Sequence, residues 1–194
     1  GAYGGMRGGP GNAWEYSWGS NRSASAYGAN LYMAAHFGIT GSHSGAEVLA
    51  RAESYLHYIL GLNPLSMVYL TNMAAYGGEH SSFQAYHSWF STTGGDGDHG
   101  NTTYNGKPTW VDDPLYPYYT DDGATSMYGP APGLLVGGPN YGYDCDYTIA
   151  GIANPATAYR DFSVGCGWDG THCTACSWEL TEPDDGYQGP FVLL

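Results

Sequence analysis

Basic residues are the scarcest component of this chain. Its 194 residues hold 5 Lys plus Arg against 18 Asp plus Glu, a net charge of −13. A surface of that sign repels a phosphate backbone, which argues against nucleic acid as a partner. Long apolar runs are missing as well, and none approaches the roughly 18 residues that a membrane helix needs. No leader peptide or initiator Met opens the sequence, and Phe191-Val192-Leu193-Leu194 closes it inside an apolar run. The chain therefore reads as a piece of something longer. What is abundant argues for order. Glycine numbers 31 and proline 11, with 19 Tyr, 6 Trp and 5 Phe. Thirty aromatics carry far more apolar surface than a disordered chain does.

The acid is unevenly placed. Residues 1–95 sum to −1, whereas residues 96–194 hold all twelve Asp and sum to −12. A half rich in Asp, Gly, Tyr and Pro and nearly free of Lys reads as long ordered loops. Carboxylates without basic partners there suit a divalent cation.

Helical patterning is confined to the ends. Ala24, Tyr27, Leu31, Ala34 and Ala35 recur at three-to-four spacing, which predicts a helix from Ser23 to Phe37 stopped by Gly38. A second helix starts at a capping box, Ser44 to Glu47, with Val48, Leu49, Ala52, Tyr55, Leu56 and Ile59 on its apolar face. Gly61 and Pro64 end it. A third is expected near Thr181, with Pro183 at its first position and Asp184 and Asp185 in its first turn. About 115 residues lie between Gly61 and Thr181, with short strands expected only at Met67–Leu70 and Leu134–Val136. A compact domain rarely carries so long an irregular stretch. The pattern fits functional loops mounted on a larger helical scaffold.

Four blocks carry a resemblance. They are Trp18-Gly19-Ser20-Asn21; Tyr58 to Leu65 (YILGLNPL) with Tyr69 to Thr71; the stretch 129–140 (GPAPGLLVGGPN); and Ala158 to Phe162 with Ser177 to Glu182 (SWELTE). In this order they resemble family 9 glycoside hydrolases, the inverting cellulases. The resemblance covers nearly the whole chain. It implies an all-α fold, an (α/α)6 barrel of twelve helices. Residues 1–194 would supply its C-terminal portion, about three helices with long cleft-lining loops. The family's base-bearing Asp-Ala-Gly-Asp motif belongs to an N-terminal part that is absent from the sequence. Two further positions depart from the family pattern: Trp89 stands where its His block has Arg, and Gln188 stands where it often has Asn.

Inverting hydrolysis needs one carboxyl group to protonate the leaving oxygen and another to activate water. The resemblance makes Glu182 the acid. A helix N-terminus would lower its pKa, so burial against Trp178, Tyr187 or sugar must raise it. The bland reading of Glu182 is a helix-capping glutamate, and Glu179 is the near competitor for the acid. His87 matches the family's substrate-contacting histidine, whereas His36 and His57 read as buried structural histidines on helices. A pyranose packs its C–H face on aromatic rings. Trp14, Trp18, Trp89, Trp110, Tyr159 and Trp178 are candidates, with Trp89 and Tyr159 foremost, and Asp161 joins the substrate-binding set.

Asp96 and Asp98, Asp112 and Asp113, and Asp121 and Asp122 are candidate carboxylate clusters for structural calcium, with Asp96, Asp98, Asp121 and Asp122 taken as the ligands. Solvated turns are the alternative. Cys145, Cys166, Cys173 and Cys176 allow three disulfide pairings in an exported protein. Zinc on Cys166, Cys173, Cys176 and His172 is the alternative. Asn21-Arg22-Ser23 and Asn101-Thr102-Thr103 are glycosylation sequons.

The leading expectation is a secreted endo-β-1,4-glucanase segment that acts on β-glucan or cello-oligosaccharide. It would pair with the N-terminal part of its own catalytic domain, use neither membrane nor nucleic acid, and be inactive alone. A non-catalytic carbohydrate-binding module and a degenerate hydrolase are the rivals.

Overall fold

A computed structural model describes residues 16–83, 85, 103–104, 107–108, 131–143, 154–162 and 177–194. Regular structure there is mainly helical. Helix α1 spans Ser20–His36 and α2 spans Gly45–Ile59. The short helix α3 spans Trp178–Thr181 and α4 spans Asp185–Leu193. Strand β1 is Val68–Thr71 and pairs in parallel with β2, Ser81–Ser82. Two further short strands, β3 (Thr103–Tyr104) and β4 (Lys107–Pro108), form an antiparallel pair. The described residues are thus mostly helical with small sheets, compatible with part of a helical domain.

The α2 start is as predicted. The Ser44 hydroxyl accepts from Glu47 N–H at 3.2 Å, and the Glu47 carboxylate accepts from Ser44 N–H at 2.8 Å. These reciprocal bonds satisfy donors that a helix end leaves over. They also pull the exposed Glu47 carboxyl below its usual range. Helix α1 begins three residues earlier than Ser23. Gly19 enters the left-handed region at φ 73° and starts the helix without a side-chain cap, so no capping signal exists to read.

Helix α1 buries a face of small and polar residues: Ser20, Asn21, Ala24, Ser25, Gly28 and Ala29. It packs on both α2 and α4. Gly28 is where the three helices meet. A Cβ there would stand 2.5 Å from the Leu194 side chain and 3.1 Å from Tyr55. Of the expected α2 face, Val48, Ala52 and Ile59 are buried while Leu49 is exposed.

The core continues through Tyr58, Ile59, Met67, Tyr69, Leu135, Val136 and Leu180. The turn into β1 is organised by Asn63, which is fully buried. Its amide donates to the Tyr58 and Met67 carbonyls, both at 2.7 Å. Its carbonyl accepts from Leu65 N–H at 3.1 Å and Met67 N–H at 3.2 Å. Four bonds use the full capacity of the side chain.

The third predicted helix is corrected. Thr181 ends α3, and α4 starts at Asp185 with Asp184 as its cap. Pro183 accounts for the break. A residue before proline is pushed out of the helical region, and Glu182 is extended at φ −66°, ψ 128°.

Candidate functional site

Residues 133–140 run through the centre of the described structure and tie its parts together. Val136 N–H donates to the Tyr69 carbonyl at 3.1 Å, and Leu70 and Leu135 form a bridge between β1 and this segment. The Asn21 backbone donates to the Gly137 carbonyl at 3.0 Å and its side-chain amide to the Val136 carbonyl at 2.9 Å. Gly138 N–H donates to the Leu180 carbonyl at 2.8 Å, and Asn140 N–H to the Ala158 carbonyl at 2.9 Å. The Asn140 side-chain amide donates to the Glu179 carboxylate. The four sequence blocks that are far apart in the chain are thus neighbours in space. Gly138 is required twice over: its φ is +89°, and a Cβ would run into the Asn21 side chain.

Glu182 stands on the corner between α3 and α4. It is half-buried, and Asp184, not Glu182, caps α4 by accepting from Gly186 N–H at 2.7 Å. The helix-cap reading of Glu182 is therefore replaced by one in which Asp184 does that work. Glu179, the competitor, has its carboxylate on Asn140.

Beside this corner lies a cleft of about 480 Å³ between the start of α1 and the start of α4. Trp18, Arg22, Tyr27, Asp184 and Tyr187 line it. The Trp18 ring is 50 % exposed and meets Trp178 edge-on, with centroids 4.4 Å apart. The Tyr187 phenol is pushed up to about 12 by burial, reinforced by the charges of Glu182 and Asp184. It therefore remains a protonated donor at any ordinary working pH. The walls combine aromatic faces, a guanidinium, a phenol and a carboxylate, which is the mixture that binds a polyhydroxylated ring.

Tyr159 and Asp161 take a different place from the cleft. Tyr159 is 8 % exposed, and its ring lies edge-on to Tyr69 at 5.2 Å. Asp161 accepts from the Ser82 hydroxyl at 2.6 Å and from Phe83 N–H at 2.7 Å. The Tyr159 hydroxyl reaches the same carboxylate at 3.4 Å. Asp161 thus joins the stretch that leads to α3 with the end of β2, from which the chain runs on toward His87. Burial, with the adjacent Asp161 charge second, holds the Tyr159 phenol well above its usual value.

His87, Trp89, Trp14, Trp110, Asp96, Asp98, Asp112, Asp113, Asp121, Asp122, His172, Asn101 and all four cysteines lie outside the described residues. Among the described residues, no group of three or more His, Cys, Asp or Glu side chains could hold a metal, and no helix is long and apolar enough to cross a membrane. His36 and His57 lie on α1 and α2 as expected, but at exposed rather than buried positions. The Asn21 sequon is corrected too: Asn21 is fully buried and its amide is bonded, so it presents no acceptor for a glycan. Sequence reading gave Arg22 and Tyr27 no role at a cleft. Arg22, Ser23, Ala26 and Tyr27 recur at three- to four-residue spacing, which sets them on one side of α1's first turns.

The sequence profile of Glycosyl hydrolase family 9 matches residues 4–194, and the chain belongs to that family. No curated protein and no solved structure matches it. Family membership makes it a glycoside hydrolase by class, with a polysaccharide of the β-glucan kind as substrate.

Proposed function

We propose that the chain is the C-terminal segment of a secreted endo-β-1,4-glucanase that cleaves cellulose or a related β-glucan with inversion. The observation that carries this reading is the placement of Glu182. Pro183 keeps it out of both flanking helices, and its charge acts on the Tyr187 phenol that lines the aromatic-walled cleft. Trp18 offers a half-exposed indole for a pyranose face, with Arg22 and Asp184 available for hydroxyls.

The mechanism follows from that placement. Glu182, protonated, gives its proton to the glycosidic oxygen as the bond to the anomeric carbon breaks. An Asp from the N-terminal part of the same domain takes a proton from water, which attacks the opposite face. The two carboxyl groups then stand about 6.5–9.5 Å apart, leaving room for that water. Tyr187 remains a neutral donor beside the acid throughout. His87 and Trp89 are assigned to substrate, Asp96, Asp98, Asp121 and Asp122 to a structural calcium, and the four cysteines to disulfides. None of these supplies a step of the reaction.

The barrel reading has support at the opposite end of the helices. Phe37 is 63 % and Ile39 74 % exposed at the α1–α2 connection, and Val192 is 81 % exposed on α4. Apolar faces of that kind suit further helices packed against them. The test is stereochemical. Proton NMR of the newly released reducing end, from the complete enzyme acting on cellotetraose, must show the α-anomer first. Initial release of the β-anomer overturns the inverting assignment.

A further inference from the structure

Gln188 of α4 holds both backbone groups of one residue, Leu135, with the two ends of its amide. Its Oε1 accepts from Leu135 N–H at 2.8 Å, and its Nε2 donates to the Leu135 carbonyl at 2.8 Å. Nε2 also donates to the Asp184 carbonyl at 3.3 Å. The residues on either side of Leu135 bond the other way. The Leu134 carbonyl accepts from Thr71 N–H at 2.9 Å, and Val136 N–H donates to the Tyr69 carbonyl at 3.1 Å. Residues 134–136 therefore alternate as a strand does, with β1 on one edge and the Gln188 amide on the other. Leu135 is fully buried, so no solvent replaces the amide if it is removed.

Helix α4 needs such a hold. Its nine residues, DGYQGPFVL, include two glycines and Pro190. Glycine and proline are the poorest helix formers, and a helix this short has little stability of its own. Its position is set from outside. Gln188 follows Tyr187 directly and lies six residues after Glu182.

We propose that Gln188 is a positioning residue, whose two-point grip on the Leu135 backbone N–H and carbonyl fixes α4 and thereby the stance of Tyr187 and Glu182 at the cleft. The inference rests on the reading of Glu182 as general acid. Chemistry then depends on an amide of this length. Leu removes both bonds. Glu keeps an acceptor for the Leu135 N–H but sets a second oxygen against the carbonyl. Asn keeps the amide one methylene too short.

The test compares Gln188→Leu, Gln188→Glu and Gln188→Asn in the complete enzyme on cellotetraose, each well below its own unfolding midpoint. Small displacements of catalytic groups are costly, so kcat should fall about 10- to 100-fold in Gln188→Leu, with KM nearly constant. Gln188→Asn should fall less. The basic limb of the kcat/KM profile should move in both, because the surroundings of the acid have changed. If Gln188→Leu does not fold, Gln188→Asn carries the comparison. Wild-type kcat and an unmoved basic limb, with only a lowered unfolding temperature, overturn the inference and leave Gln188 a purely structural residue. Glu182→Gln is run alongside. If it is inactive while the Gln188 variants are not impaired, the positioning inference alone fails. If it turns over like wild type, the acid reading fails and this inference falls with it.

Discussion

The side-chain amide of Asn21 donates to the carbonyl of Val136 at 2.9 Å, across 115 residues of chain. This bond joins the first turn of α1 to the segment that also carries β1's partner residues and the α3 contact. A Cβ on Gly138 would collide with that same Asn21 side chain while holding φ at +89°. Gly138→Ala should therefore destabilise the protein by about 2–4 kcal/mol, the sum of left-handed backbone strain and overpacking. Gly45→Ala is the control. Its site is helical, with nothing within 4 Å of the added Cβ, so alanine should be neutral or stabilising by up to about 1 kcal/mol. Urea unfolding midpoints of the two variants check the contrast.

Asp161 predicts a second, coupled loss. Removing its carboxylate takes the acceptor from the Phe83 N–H and leaves the buried Ser82 hydroxyl only the Tyr159 hydroxyl, at 3.3 Å. Asp161→Ala should cost about 1–3 kcal/mol. Ser82→Ala should cost less, because Phe83 N–H keeps its acceptor. The double variant should cost less than the two singles summed, and a double-mutant cycle from chemical denaturation measures the coupling.

How far these contacts could be read in advance depended on the kind of signal. Helix α2 was legible because Ser44 and Glu47 form a local box three residues apart. The start of α1 was not, because Gly19 begins it by backbone conformation alone. The break at Glu182 was written in Pro183, yet the acidic pair after it drew the helix start too early. Asp184 is the cap and not a first-turn residue. Tyr159 read as a sugar platform because an aromatic beside a carboxylate suits both a cleft and a core. What buries it is Tyr69 and the Ser82–Asp161 pair, both distant in sequence. The motif blocks marked Glu182 and Trp18, but Arg22 and Tyr27 are ordinary helix residues until α4 packs opposite them.

Alkaline pH offers a third check. Burial raises the phenols of Tyr58, Tyr69 and Tyr159 well above the usual value and that of Tyr187 to about 12. Their folded values exceed the unfolded one near 10, so the stability they contribute is complete below about pH 10. It is lost as the pH rises from there through the folded values, because the unfolded state gives up its protons first. Phenolate absorbance should therefore rise in two parts. The buried set ionises only above the usual phenol range, together with loss of near-ultraviolet circular dichroism. One smooth transition for all tyrosines in the folded protein would count against the buried cluster.

The capping box gives a smaller, local prediction. Ser44→Ala removes the acceptor for Glu47 N–H and should destabilise α2 by about 1 kcal/mol. Thermal unfolding of the variant, set beside that of Ser44→Asp, reads it. Aspartate should restore most of the loss.

The most direct measurement of the central claim is the activity of Glu182→Gln in the complete enzyme on two substrates. One is cellotetraose, whose sugar leaving group needs a proton. The other is a dinitrophenyl β-cellobioside, whose leaving group departs without one. Loss of general-acid catalysis should lower turnover of cellotetraose by about 100- to 10,000-fold while leaving cleavage of the activated substrate largely intact. Near-normal hydrolysis of cellotetraose by Glu182→Gln would contradict the assignment of the acid.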